Sequence, residues 1–357
     1  MTTLKEISLL FLKLGSVSFG GPAAHIAMME DEIVKKRRWM SHEHFLDLVG
    51  ATNLIPGPNS TEMTMHCGYE QRGLRGLLVA GASFIAPAVL ITGIIAWLYQ
   101  QYGTLPDAER FIAGIKPAVI AIIANAAIPL AKKAFKNSML IFMGIGVLLA
   151  TLLGISEIYA LFAAGAAGVL LHMGKKTKEK TLSVIPGIQI LLIFFKTGAL
   201  LYGSGYVLFA FLDAQLVSTG LLSREVLIDS VAAGQFTPGP VLSTATFIGW
   251  QMGGLSGSLL ATIGIFLPSF LFVALLNPIL PKLKRSKIFT AFLDAVNAAS
   301  VAVIVTVCIK MGMDALTDWR SSVIALLSFA VIFKFKRLNS AFIVIGGALA
   351  GFLLNLL

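Results

Sequence analysis

Two short elements of this chain have the residue types and spacing to hold an anion. In the first, Asn53 precedes Pro56-Gly57-Pro58, and Asn59, Ser60 and Thr61 follow. In the second, Gln235 and Thr237 lead into Pro238-Gly239-Pro240, and Ser243 and Thr244 follow. Two prolines cannot sit inside a continuous helix, because each removes a backbone donor and clashes with the preceding turn. Each element therefore ends one helix and starts another. Proline suits a first helical turn, and Asn59, Ser60 and Thr61 are placed to cap the new helix. A helix that begins inside a buried segment offers free N–H groups and a positive dipole end, which together attract anions. The alternative is a structural kink near an interface; finding the element twice favours the anion site.

Other polar residues lie in apolar surroundings. Lys13 and Lys196 are such a pair, and charges inside apolar segments are functional by default; snorkelling to an interface is the competing reading. Glycine-rich breaks occur at Phe19-Gly20-Gly21-Pro22 and Tyr202-Gly203-Ser204-Gly205. They serve either close helix packing or backbone participation in the site. His25 is a candidate to coordinate an oxyanion or take a proton. Glu43 and Asp47, like Glu225 and Asp229, share a helix face at i, i+4 spacing. They read as surface residues behind the N-caps Ser41 and Ser223, with proton coupling as the alternative. Lys116 and Asn125 are weaker candidates.

These residues sit between long apolar blocks. Of the 357 residues, 57% are hydrophobic and 13% charged, about half the charge of a soluble domain. Blocks at 85–98, 119–130, 139–153, 158–171, 259–276, 301–309 and 322–333 carry no charged side chain apart from block edges. A membrane helix needs about 20 mostly apolar residues, so short or tilted helices are expected. The first segment contains Lys13 and no small-residue cleavage site, so it reads as a helix rather than a leader. The net charge of +10 resides in short loops, as the positive-inside rule produces, and does not indicate nucleic acid. Cys67 and Cys308 read as buried small hydrophobes, with no metal site and no disulfide.

The chain repeats itself. Residues 41–64 match 223–246 at nine of 24 positions, including Pro56, Gly57, Pro58 and Thr64 against Pro238, Gly239, Pro240 and Thr246. Upstream, Lys13, Gly15 and Gly20 match Lys196, Gly198 and Gly203. Downstream, Gly73, Leu74, Gly76, Pro87 and Phe111 match Gly254, Leu255, Gly257, Pro268 and Phe292. Lys35, Lys36, Arg37 and Arg38 fall opposite the uncharged 218–221, whereas Lys282, Lys284 and Arg285 fall opposite the neutral 102–106. Basic loops mark the cytoplasmic side, so equivalent loops lie on opposite sides. The expected fold is all-α: a polytopic membrane protein of two inverted-topology repeats, with about ten crossing helices plus two broken re-entrant segments. Residues 1–174 form the first repeat, 175–183 a basic cytoplasmic linker and 184–357 the second, inverted repeat. Crossings in the first half are expected near 5–30, 74–99, 111–131, 138–153 and 157–172, with 43–70 re-entrant and the N-terminus outside. Inverted repeats with interrupted helices characterise secondary transporters, whose sites lie where the unwound segments meet. No HExxH, GxSxG, Cys-His cluster or phosphate loop supports an enzyme.

Phe19-Gly20-Gly21-Pro22, His25, Trp39, the run from Asn53 to Pro58, Gly234 to Pro240 and Ser243 to Gly249 together resemble the chromate ion transporter family in its two-domain form. The resemblance spans nearly the whole chain. It implies a multi-pass carrier of the inner (plasma) membrane that exports chromate on ion gradients rather than ATP, with no cofactor. Sulfate is the alternative substrate and import the alternative direction; an anion channel is the remaining rival. Expected partners are a small inorganic oxyanion and the lipid bilayer, with a proton as coupling ion and a homodimer as options. His25 falls opposite Leu208, and Gly21-Pro22 opposite Ser204-Gly205, so site roles need not be symmetric.

Overall fold

The computed structural model describes residues 2–18, 22–52, 55–103, 106–153, 155, 159–161, 163–165, 186–201, 207–276, 287–335 and 340–354. These form helices and turns, with no strand among the described residues. The first half contains α1 (Leu4–Val17), α2 (Pro22–Met29), α3 (His42–Thr52), α4 (Asn59–Tyr102), α5 (Pro106–Ala134) and α6 (Ser138–Leu152). The second contains α7 (Pro186–Leu200), α8 (Val207–Leu212), α9 (Arg224–Phe236), α10 (Thr244–Leu276), α11 (Lys287–Ala315), α12 (Trp319–Lys334) and α13 (Ser340–Leu354). Both α2 and α8 run on into a π-helical turn, Glu30–Lys36 and Asp213–Val217.

The segment expected as one crossing at 5–30 is two helices. Helix α1 ends at Val17 and α2 begins at Pro22, a proline at a helix start as its fixed φ favours. The re-entrant exit and the next crossing, by contrast, are joined in α4. Their junction is a kink at Arg72 (φ −146°) and Gly73 (φ +57°). Helix α10 repeats it at Gly253 (φ −156°) and Gly254 (φ +58°). The positive φ suits glycine, which has no Cβ to clash. After each kink the chain doubles back closely: a Cβ on Gly68 would collide with the Gly76 carbonyl, and one on Gly249 with that of Gly257. Gly73 and Gly254 themselves have nothing within 4 Å of a built Cβ, so they are hinges rather than packing glycines.

By length and composition, four helical stretches can cross a membrane: Asn59–Tyr102, Arg110–Lys132, Val241–Leu275 and Asp294–Met313. Shorter apolar helices lie at Ser138–Leu152, Gly187–Leu200 and Phe342–Leu354. Large apolar side chains point outward from them; Phe142 is 74% exposed and Leu275 65%. Such a surface is unfavourable in water and suited to lipid. Helices α1 and α7 lie along α4 and α10, and α4 and α10 pack on each other. Helix α5 packs against α12 of the other half, and its repeat counterpart α11 packs against α6. The halves are thus interleaved rather than side by side.

Candidate functional site

Both Pro-Gly-Pro turns are buried where α1, α4, α7 and α10 meet. Each turn bonds to the opposite half. The Gly57 amide donates to the Leu201 carbonyl at 2.7 Å, and the Gly239 amide donates to the Ser18 carbonyl at 2.7 Å. Ser18 and Leu201 follow the last residues of α1 and α7, so each turn satisfies a carbonyl at the point where a helix of the other half breaks. Gly57 (φ 141°) and Gly239 (φ 90°) take backbone angles that side-chain-bearing residues avoid. Helix α1 can lie this close because Gly15 lacks a Cβ, which would strike the Phe84 carbonyl of α4; Gly198 stands in the same relation to Ile265 of α10.

The helix starts differ from the sequence expectation in one respect. Pro58 is the N-cap of α4, with no side-chain cap, and Asn59, Ser60 and Thr61 lie inside the first turn. Pro240 likewise begins a 3₁₀ turn, Val241–Ser243, without a side-chain cap, and α10 follows from Thr244. With β-region φ/ψ, each proline is the last extended residue before the helix.

Around the turns is a concentration of buried polar groups. The Thr92 hydroxyl of α4 lies 3.1 Å from Ser243 Oγ and 3.4 Å from Thr237 Oγ1, a hydroxyl cluster built from both halves. Thr237 Oγ1 donates to the Gly234 carbonyl, and Thr244 Oγ1 to that of Val241. His25 Nε2 lies 3.1 Å from the same Ser18 carbonyl that accepts from Gly239, and its ring meets Phe84 edge-on at 5.6 Å. An imidazole nitrogen facing a carbonyl carries the proton, which leaves Nδ1 as acceptor in the neutral ring. That Nδ1 is buried without a hydrogen bond, as are Thr61 Oγ1, Gln235 Nε2, Ser269 Oγ and both carboxyl oxygens of Glu62. Buried polar atoms are almost always bonded, so these exceptions need a reason, and two of them, Glu62 Oε1 and Ser269 Oγ, lie together against the Gly57 turn.

Glu62 is the most consequential of these. Its side chain is fully buried and folds back over the Pro-Gly-Pro turn, where a Cβ on Gly57 would collide with Glu62 Oε1 and Ser269 Oγ. At the equivalent place in the other half, a Cβ on Gly239 would lie 3.1 Å from Ala88 and 3.2 Å from the Gly15 carbonyl. The two turns are alike in backbone and unlike in chemistry. Glu62, Ser269, Thr92 and the buried His66 escaped the sequence reading. The signal for two of them was available: Glu62 and His66 are ionisable residues in the buried first turns of α4.

The remaining sequence candidates are placed as follows. Pro56, Gly57, Pro58, Thr61, Gln235, Thr237, Pro238, Gly239, Pro240, Ser243 and Thr244 are buried, and Asn59 is partly so. Gly20, Gly21, Asn53, Tyr202 and Gly203 lie outside the described residues. The Lys13 side chain is 61% exposed and pairs with Glu32 at 3.1 Å, and Lys196 is exposed. Ser41 and Ser223 accept hydrogen bonds from the His44 and Val226 amides at 3.2 Å, as N-caps do. Glu43 and Asp47 are exposed, while Asp229 is buried and accepts from the Tyr99 hydroxyl at 2.7 Å. Lys116 lies 3.8 Å from Asp229 and 2.5 Å from Glu225, another bridge between the halves.

The family model described as chromate transporter matches the chain twice, over residues 5–169 and 188–352. The chain belongs to the chromate transporter family. A chromate transport protein of Cupriavidus metallidurans is 32% identical over 373 residues, covering 98% of this chain and 92% of that protein. One of Pseudomonas aeruginosa is 30% identical, covering 96% and 90%. No solved structure matches. Membership in the chromate transporter family and the apolar membrane-length helices make this a transmembrane transport protein. The two family matches contain one Pro-Gly-Pro turn each.

Proposed function

We propose that the two Pro-Gly-Pro turns form one oxyanion site between the halves, and that the protein is a secondary carrier exporting chromate. The observation that supports this most is the reciprocal pair of hydrogen bonds, Gly57 to Leu201 and Gly239 to Ser18. It seats each turn at the break of the other half's first helix, the Gly57 turn at the end of α7 and the Gly239 turn at the end of α1. A helix N-terminus carries about half a positive charge, so two offer about one without burying a lysine. A tetrahedral dianion needs several donors, and the amides after Pro58 and Pro240 with the hydroxyls of Thr61 and Ser243 and the Gln235 amide are suited to supply them. The relatives named as chromate transport proteins point to the substrate. Sulfate has the same shape and charge, so weak discrimination follows.

The halves are read as inverted repeats that cross five times each, in a plasma membrane of the inner type. The exchange of α5 and α11 onto α12 and α6 supports a two-fold relation, and the alternation of basic loops supports inversion. Counterflow tests the function. Proteoliposomes loaded with unlabelled chromate should take up labelled chromate faster than empty ones, and sulfate should compete. Flux insensitive to internal chromate would indicate a channel; no flux would refute the reading.

A further inference from the structure

The fully buried carboxyl of Glu62 folds over the Gly57 turn with no hydrogen bond to either oxygen, and no cation is paired with it among the described residues. We infer that Glu62 is a proton-binding site inside the anion site, and that its proton and the oxyanion bind together. This rests on the shared oxyanion site proposed above.

Position and charge carry the inference. Glu62 lies in the first turn of α4, one residue after Thr61, so its carboxyl occupies the region that the helix N-terminus makes attractive to an anion. As a carboxylate it neutralises about the single positive charge that the two helix starts supply, and it repels a dianion placed against them. With a proton it is neutral and presents one O–H donor toward an anion oxygen. The proton adds to a carboxylate oxygen and leaves from it, with no other bond made or broken. Ser269 Oγ lies close to the carboxyl without hydrogen-bond geometry to it, and is free to turn its hydroxyl either to Glu62 or to a bound anion. The repeat makes the feature one-sided. Thr244 and Ala88 stand where the other half has Glu62 and Ser269, so one proton is bound per oxyanion.

On α7, which packs along α10, Lys196 is exposed. His66 lies one turn further along α4 and is buried. His25 faces the Ser18 carbonyl and Phe84. Lys13 and Glu32 pair with each other at the periphery, and Glu43 and Asp47 of α3 are exposed. On α9, Asp229 is held by Tyr99 and Lys116.

The test uses full-length protein in proteoliposomes, at pH values where chromate is entirely the dianion. Wild-type counterflow should fall as pH rises, with a limiting slope of about tenfold per pH unit for one linked proton. An imposed proton gradient should drive chromate in the direction the protons run, and a negative interior should drive the remaining single negative charge outward, the export direction. E62Q should show counterflow that no longer varies with pH and no proton-driven accumulation. E62D should keep both responses with a displaced midpoint. S269A, which leaves the carboxyl in place, should also displace the midpoint. An E62Q protein with the wild-type pH profile and proton-driven accumulation would overturn the inference. Should E62Q not fold, unmoved midpoints in both E62D and S269A would overturn it equally. Absence of chromate counterflow in the wild type would instead refute the transport function itself.

Discussion

The amide of Gly239 donates to the carbonyl of Ser18 at 2.7 Å, across the boundary between two halves of one chain. The mirror bond, Gly57 to Leu201, has the same length. Each half thereby ends the other's first helix. Neither half can complete its own Pro-Gly-Pro turn alone, which makes the turns a property of the assembled pair and a natural place for a shared ligand.

Enlarging either glycine should therefore disable both turns. G57V drives a side chain into Glu62 and Ser269, and G239V into Ala88 and the Gly15 carbonyl. Both residues also hold φ values that valine resists. Chromate counterflow should drop at least tenfold in each. G146A, at a helical glycine with open space around it, should leave counterflow within about twofold. Equal rates in all three would separate the turns from transport.

The exposed lysines give a contrasting expectation. Lys13 pairs with Glu32 at the periphery, and Lys196 is exposed. Glu32 is buried but keeps Lys36 at 3.1 Å and Arg37 at 3.7 Å, so losing the exposed Lys13 leaves it paired. K13Q and K196Q should retain counterflow within a few-fold. Its abolition in folded protein would show that a lysine reaches the anion during the cycle.

The bridge from Tyr99 to Asp229 joins the halves on the other side of α4. Y99F removes a half-buried hydrogen bond to a carboxylate, a loss of about 1.5–3 kcal/mol. The detergent-solubilised variant should melt at lower temperature, and D229N alone should lose part of the same increment. Additive losses in the double variant would show that the two groups do not interact.

Topology follows from the basic loops. Reporter tags near Lys36 and Lys284 should both register cytoplasm, and one near Gly103 the outside. Gly103 and Lys284 occupy equivalent places in the repeat, so the same side for both would remove the inversion.

Much of this organisation was legible in sequence. A Pro-Gly-Pro run or a glycine-rich cluster disfavours a continuous helix where the lone prolines at Pro87 and Pro268 do not, so the turns at Pro56 and Pro238 and the breaks after Val17 and Leu200 announce themselves. The kinks at Gly73 and Gly254 are visible in sequence only as repeat-matched glycines; the positive φ that identifies hinges is a backbone fact. The cross-half bonds were not legible, because a repeat states which residues are equivalent and not which copies touch. Glu62 was missed for a related reason. Its repeat partner is Thr244, so a reading that weights symmetric pairs passes over it, whereas Lys13 and Lys196 stood out because they matched. Which face of α1 looks inward was equally out of reach, and there Lys13 proved to be exposed.

The central claim is that two turns make one site, and binding stoichiometry tests it most directly. Equilibrium dialysis of purified protein against chromate should give one bound oxyanion per chain, and either G57V or G239V alone should abolish it. Two bound per chain, with each substitution removing one, would contradict a shared site, as would one bound per chain that survives loss of either turn.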